Sequence, residues 1–350
     1  MGKLKKLTGY RLFLPLSCLI IVLLINLITT PTFFRITINN GVLYGYIIDV
    51  INRASELVVL AVGMTLVVSA SAGTDISVGA VMAVAAAVCT RVLAGGEVSV
   101  NEYANPYVLA VLAALAAAVV CGGFNGLLVA KLKIQPMVAT LILFTAGRGI
   151  SQLVTNGQIT YIRVDGYKLL GNNIPGIPIP TPIFVAVIVV ALTYILLKKT
   201  AMGMYIQSVG INERASRLVG LKSVKIIWMA YAFCGLCAGI AGLVASSRIY
   251  SADANNIGLN MELDAIAAVA LGGNSLGGGR FSLLGSVIGA YTIQALTTTL
   301  YAMRVPAAQI PVYKAIVVIL IVAVQSEELK KFRKRLASRH SSKNVEGGVA

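Results

Sequence analysis

Runs of about 20 apolar residues recur along this chain, and nothing else in it restricts the possible folds so severely. Val108 to Ala130 is the plainest, with no charged residue inside it. At about 1.5 Å per helical residue such a run crosses a hydrocarbon core about 30 Å thick. Lipid offers no hydrogen-bond partners, so the backbone of each run has to satisfy itself, and a helix does that. Ten segments qualify: Leu12 to Thr30, Glu56 to Ser71, Ser77 to Leu93, Val108 to Ala130, Met137 to Val154, Ile183 to Leu197, Ile226 to Ser247, Leu263 to Asn274, Phe281 to Ala302 and Val312 to Val324. Hydrophobic residues make up 57% of the chain and charged ones 12%, against about one quarter charged in soluble domains. The expected fold is an all-α membrane protein, a polytopic bundle of about 10 transmembrane helices.

That bundle, residues 12–326, is expected to be a single domain between a short tail, 1–11, and a basic tail, 327–350. Lys3, Lys5 and Lys6 before Leu12 to Ile28 resemble a signal peptide, but the apolar run is too long and no small-residue cleavage site follows. It is read as the first span. Glu56 to Ser71, Ser77 to Leu93 and Leu263 to Asn274 are short or interrupted by glycine, which suits full spans, broken helices or re-entrant pieces. Breaks are expected near residues 71–80 and 271–280.

Lysine and arginine are unevenly distributed. Most of the 29 fall in residues 1–11, at Lys131 and Lys133, from Lys198 to Lys225, at Arg280, and from Lys330 onward. With ten spans these segments share one side, and the excess of positive charge in cytoplasmic loops places both termini in the cytoplasm. The net charge of +16 is thus a consequence of topology and does not indicate nucleic-acid binding. Tyr161, Tyr167 and Tyr250 at one edge, and Trp228 and Tyr231 at the other, fit interfacial belts.

Cys18, Cys89, Cys121, Cys234 and Cys237 all lie in apolar stretches, where thiols behave as small hydrophobes. Cys234 and Cys237 form a C-x-x-C, but the single histidine, His340, sits in the tail, so a packing face is expected and not a metal or redox site. Gly122 and Gly126, Gly235 and Gly239, and Gly285 and Gly289 are each four apart, the spacing that lets helix backbones approach closely in lipid.

Polar residues at membrane depth mark the candidate conduit. Asp75 and Ser77, in the break after Gly73, either cap the helix that follows or contact a solute, and Asn274 lies in the second break. Arg148 is expected either in a buried ion pair with Asp75 or another acid, or snorkelling to an interface. Asn125, Gln135, Asn156 and Gln294 add neutral groups that suit the hydroxyls of a sugar better than carboxylates do, although each also suits an inter-helix hydrogen bond. No ATP-binding motif is present. Gly210 to Gly220, inside the basic run, is a short amphipathic segment fit either to be moved by a separate ATPase or to rest on anionic lipid.

From Asn40 to Gln325 the chain resembles the permease subunits of bacterial sugar ABC importers of the ribose, xylose and galactose group, galactofuranose permeases most of all. The resemblance is carried by Asp49 to Ala54, Val62 to Val67, Asp75 to Met82, Lys133 to Leu141, Ala252 to Asn256 and Glu262 to Val269. Ala72-Gly73-Thr74 departs from the family's usual Gly-Gly before the Asp75 stretch. The resemblance implies a translocation path for a monosaccharide, galactofuranose or a related pentose or hexose, in a bacterial cell membrane. It implies that Asn212, Glu213, Arg214, Ala215, Arg217 and Gly220 belong to a coupling helix docking on an ATPase with two fused nucleotide-binding domains. ATP binds that partner, so no cofactor is expected in this chain. A second permease subunit and an extracytoplasmic sugar-binding protein complete the set, the latter docking near Asp253, Glu262 and Asp264. The alternative is an ion-coupled secondary transporter, for which only Asp75 offers a buried carboxylate. A membrane-embedded enzyme would need a nucleophile and base, or a metal cluster, and the spacing supplies neither.

Overall fold

The computed structural model describes residues 12–39 and 41–325 and contains twelve α-helices among them. In chain order these are α1 (Phe13–Thr29), α2 (Tyr46–Ser71), α3 (Val78–Ala94), α4 (Tyr107–Ala130), α5 (Pro136–Val154), α6 (Thr181–Lys199), α7 (Met202–Ile211), α8 (Glu213–Leu218), α9 (Ser223–Ile249), α10 (Met261–Leu271), α11 (Leu283–Ala302) and α12 (Ile310–Gln325). Six of them, α2, α4, α5, α6, α9 and α11, are long and apolar enough to cross a membrane. Each expected span contains one helix, with α7 and α8 added in the basic loop. The tails 1–11 and 327–350, His340 included, lie outside the described residues.

Glu56 to Ser71 proves to be the second half of α2, an unbroken helix of 26 residues. Gly63 does not interrupt it; it lets α9 approach, since a Cβ there would stand 3.0 Å from Cys234 Cα and Cys237 Cβ. The C-x-x-C is therefore packing surface. The glycine pairs act in the same way: a Cβ at Gly122 of α4 would stand 2.9 Å from Gly235 Cα of α9, and one at Gly289 of α11 would overlap Ala268 O of α10. With lipid tails as apolar as leucine, close backbone approach is what holds such helices together.

Both breaks are present, between α2 and α3 and between α10 and α11, and they meet at one end of the bundle, where Gly279 N–H donates to Ser69 O (3.0 Å). After α2, Ala72 turns left-handed (φ 53°) and the chain climbs back beside α2, so that Asp75 N–H donates to Met64 Sδ (3.5 Å) and Ile76 N–H to Thr140 Oγ1 (3.2 Å). Helix α3 thus begins inside the bundle. From the other end, residues 253–260 descend until Gly258 packs on the backbone of Gly79, where α10 starts.

At that same end, away from the lysine-rich loops, short strands tie the loops together. A hairpin pairs β1 (Thr37–Asn39) with β2 (Val42–Tyr44). A three-stranded patch sets β3 (Ser99–Val100) parallel to β4 (Thr160–Ile162), and β4 antiparallel to β5 (Ser251–Ala252). Two expected belt residues are not at an interface. Tyr167 is buried and shares a hydrogen bond with Ser246 Oγ (2.7 Å), and Tyr231 is buried with its hydroxyl 3.3 Å from Ser71 Oγ. A phenol that finds a hydroxyl partner inside the bundle has no need of the membrane surface.

Candidate functional site

The basic loop folds into two helices, α7 and α8, separated by the extended Asn212. Asn212 ends α7 and caps α8, its Oδ1 accepting from Ala215 N–H (2.9 Å). Gly220 (φ 86°) closes the segment. Glu213 faces inward as a hub: its carboxylate receives Lys133 Nζ and Arg217 Nη2 and accepts from Ser223 Oγ (3.1 Å). Arg217 Nε also donates to Ser223 Oγ (2.7 Å). Burial pushes the Glu213 carboxyl up, but the hydrogen bonds from Lys133 and Arg217 outweigh it and hold the pKa below the ordinary glutamate range. Glu213 and Arg217, expected as coupling contacts, also brace α8 against its own scaffold. Arg217 remains exposed, and Arg214, Leu218 (89% exposed) and Val219 (78% exposed) project with it.

Gly210, on α7 just before that hub, packs directly against two other backbones. A Cβ on it would overlap Ser69 O at the end of α2 and stand 2.7 Å from Gly279 N in the second break. Those two groups are bonded to each other, Gly279 N–H donating to Ser69 O (3.0 Å). One glycine backbone therefore touches the ends of both breaks at once. Lys133 and Gly210 were not singled out from the sequence for these contacts, and no local signal marks them: each contact joins residues far apart in the chain.

The expected path residues separate into two groups. Asp75, Ser77 and Asn125 are buried and bond one another: Asp75 Oδ1 accepts from Ser77 N–H (2.9 Å) and Ser77 Oγ–H (2.6 Å), and Asn125 Nδ2 donates to Ser77 Oγ (2.8 Å). Asn274 is buried too, donating to Val269 O and Ser286 Oγ and accepting from Ser282 N–H (2.6 Å). Gln294 is half-buried near Thr298 Oγ1 (3.4 Å). These are staples of the turns. Gln135 and Asn156, by contrast, flank α5 and are exposed, the latter in a left-handed turn (φ 54°).

Arg148 corrects its expectation. It forms no ion pair with Asp75; its Nη1 donates to Ala254 O (3.0 Å) and Ile257 O (2.5 Å), clamping the descending loop to α5. The separation of the two acid-bearing segments explains this, since Asp75 turns toward α4 while Arg148 reaches the opposite loop. The docking acids also change role. Glu262 is 4% exposed against Gly79 and is not offered at the surface, whereas Asp264 stays half-exposed and is paired with Lys314 Nζ (2.6 Å). Asp253 folds its own loop, accepting from Asn255 N–H (2.9 Å) and Asn256 Nδ2 (2.6 Å).

A polytopic helical bundle with two breaks that meet beside a short helix pair in a basic loop is the architecture of a membrane permease. Residues 46–325 match the family described as the branched-chain amino acid transport system permease component, and the chain belongs to that family. Among its relatives are the galactofuranose transporter permease protein YtfT of Escherichia coli (44% identical, covering 93% of this chain and 92% of the relative), the fructose import permease protein FruF of Bifidobacterium longum (37%, 99% and 96%), and the ribose import permease protein RbsC of Escherichia coli (35%, 89% and 93%). The resemblance to sugar permeases is borne out along nearly the whole chain. No solved structure matches it.

Proposed function

We propose that this chain is the membrane subunit of an ATP-driven importer of a monosaccharide, galactofuranose or a related pentose or hexose, in a bacterial cell membrane. The observation that carries the mechanism is the junction at Gly210, where the loop that meets the ATPase presses on the ends of both breaks. A push on Leu218 and Val219 travels through the braced α8 to Gly210, and from there to α2 and to the 272–282 turn. Rigid short helices transmit such displacements with little loss. The partners are an ATPase with two fused nucleotide-binding domains, which binds the ATP, a second permease subunit and an extracytoplasmic sugar-binding protein. The basic loops and both termini face the cytoplasm.

The path runs along the exposed face of α5, not through the packed interior. Thr145, Gly149 and Gln152 recur there at i, i+4 and i+7, exposed or half-exposed, between Gln135 and Asn156 at the helix ends. Polar groups at that depth are costly against lipid, so this face lines water shared with the second permease.

Reconstitution of the chain with its ATPase and binding protein tests the reading. ATP-driven uptake of D-galactose, D-ribose or D-fructose is expected from the assembly and none from the isolated chain under an ion gradient. Accumulation by the isolated chain would refute it.

A further inference from the structure

We propose that Gln152, Asn255 and Asn256 form a recognition site for the hydroxyls of a neutral sugar at the end of the bundle remote from the basic loops, with Arg148 as its positioning residue. The inference rests on the importer reading and deepens it by naming the contacts. All three amides are exposed, yet each is fixed by one hydrogen bond. Gln152 Nε2 donates to Asn255 Oδ1 (2.6 Å), and Asn256 Nδ2 donates to Asp253 Oδ2 (2.6 Å).

An amide carries both a donor and an acceptor. After those bonds, Gln152 Oε1, Asn255 Nδ2 and Asn256 Oδ1 have no protein partner, and Gln152 Nε2 and Asn256 Nδ2 each keep a second N–H, so donors and acceptors are both held in place. A hydroxyl both gives and accepts, so a polyol satisfies this set. An anion is disfavoured by the Asp253 carboxylate beside it, and a lipid tail would leave the amides unpaired. Next to Gln152 on α5, a Cβ at Gly149 would meet nothing within 4 Å, so the face is open to a ligand.

The loop does not set this geometry alone. Arg148, one turn before Gln152, holds Ala254 O and Ile257 O, and the Gly79–Gly258 backbone contact pins the loop's far end. Behind the clamp, Arg148 Nη2 and Glu262 Oε2 are buried without a protein partner. A buried donor and a buried acceptor that lack partners are each costly. That cost accompanies the clamp that orients the rim.

The assembly with ATPase and binding protein is reconstituted, and uptake rates of D-galactose, D-ribose and D-fructose, each delivered by its own binding protein, are compared as ratios. Gln152→Ala and Asn255→Ala are expected to slow the preferred sugar about tenfold, equivalent to about 1.4 kcal/mol, and to shift its ratio to the other two at least threefold. Arg148→Lys, which keeps the charge but loses the two-carbonyl clamp, shifts the same ratio, and Asn255→Gln restores part of it. Unchanged ratios overturn the proposal, whether the rates stay as in the wild type or fall by one factor for all three sugars. A wild-type assembly that moves none of the probes overturns the importer reading itself, which is visible before any variant is measured.

Discussion

Replacing Gly210 by alanine adds one methyl group at the point where α7 meets both breaks. That methyl would overlap Ser69 O, stand 2.7 Å from Gly279 N and lie 2.9 Å from Ser69 C. Ordinary carbon contacts begin near 3.5 Å, so the backbones must separate by well over an ångström to clear Ser69 O. All three atoms are main chain, which leaves no side chain to swing aside. Overpacking of this kind costs about 1–3 kcal/mol, and parting Gly279 N–H from Ser69 O adds the penalty of an unmet donor, about 1–3 kcal/mol. The control is Gly149→Ala, whose Cβ meets nothing and which gains about 0.5–1 kcal/mol of helix stability. Thermal unfolding in detergent should show Gly210→Ala well below wild type and Gly149→Ala level with it or above. In the reconstituted assembly, Gly210→Ala should still bind the ATPase but move less sugar per ATP hydrolysed. A Gly210→Ala protein with wild-type melting and wild-type coupling would refute the junction.

Leu218→Asp changes an exposed tip, so the melting temperature should hold within the equivalent of about 0.5 kcal/mol while affinity for the ATPase, read by co-purification, drops at least tenfold; intact binding would count against that tip as the contact. Glu213→Gln removes the hub at a site that is partly solvent-exposed, for a loss of about 0.5–1 kcal/mol after allowing for screening. Because the folded pKa lies below the ordinary value, that contribution is complete above an ordinary glutamate pKa of about 4.3 and disappears as pH falls through the lowered one. The melting gap between wild type and Glu213→Gln should therefore be constant at neutral pH and close in acid, and a gap that widened in acid would contradict the hub. Gly79→Ala would drive a Cβ into Glu262 Oε2 and Gly258 O, and expression of folded protein, followed by size-exclusion chromatography, should fall steeply; a normal yield would show that the loop does not seat on α3 as described.

Much of the architecture was legible because hydropathy is a local property. Leu12 to Thr30 and Val312 to Val324 were placed within a few residues of α1 and α12, and the spacing of Gly122 with Gly126 and of Gly235 with Gly239 marked faces of close approach, though not that they meet each other. Facing was much less legible. Arg148 had an acid or an interface as its expected partners, and it found two backbone carbonyls. Glu262 was expected at the surface by the family resemblance, yet the loop before it dives inward and buries it, while Asp264 stays half-exposed and paired with Lys314. Glu213 was expected as a charged contact of the coupling helix, and the ion pair it makes with Lys133, far away in the chain, was not visible from sequence.

The sequence by itself determined which segments enter lipid and that the polypeptide there is helical, since the cost of an unpaired backbone group in hydrocarbon adds up segment by segment along the chain. It also determined where helices can touch closely, since small residues at a spacing of four suffice for that. Tertiary structure alone decided which polar atoms meet. In a bilayer no hydrophobic force turns one face of a helix inward, so side-chain partners depend on packing between residues remote in the chain, and the contact of Gly210 with Ser69 and Gly279 exists only once three separate segments have come together.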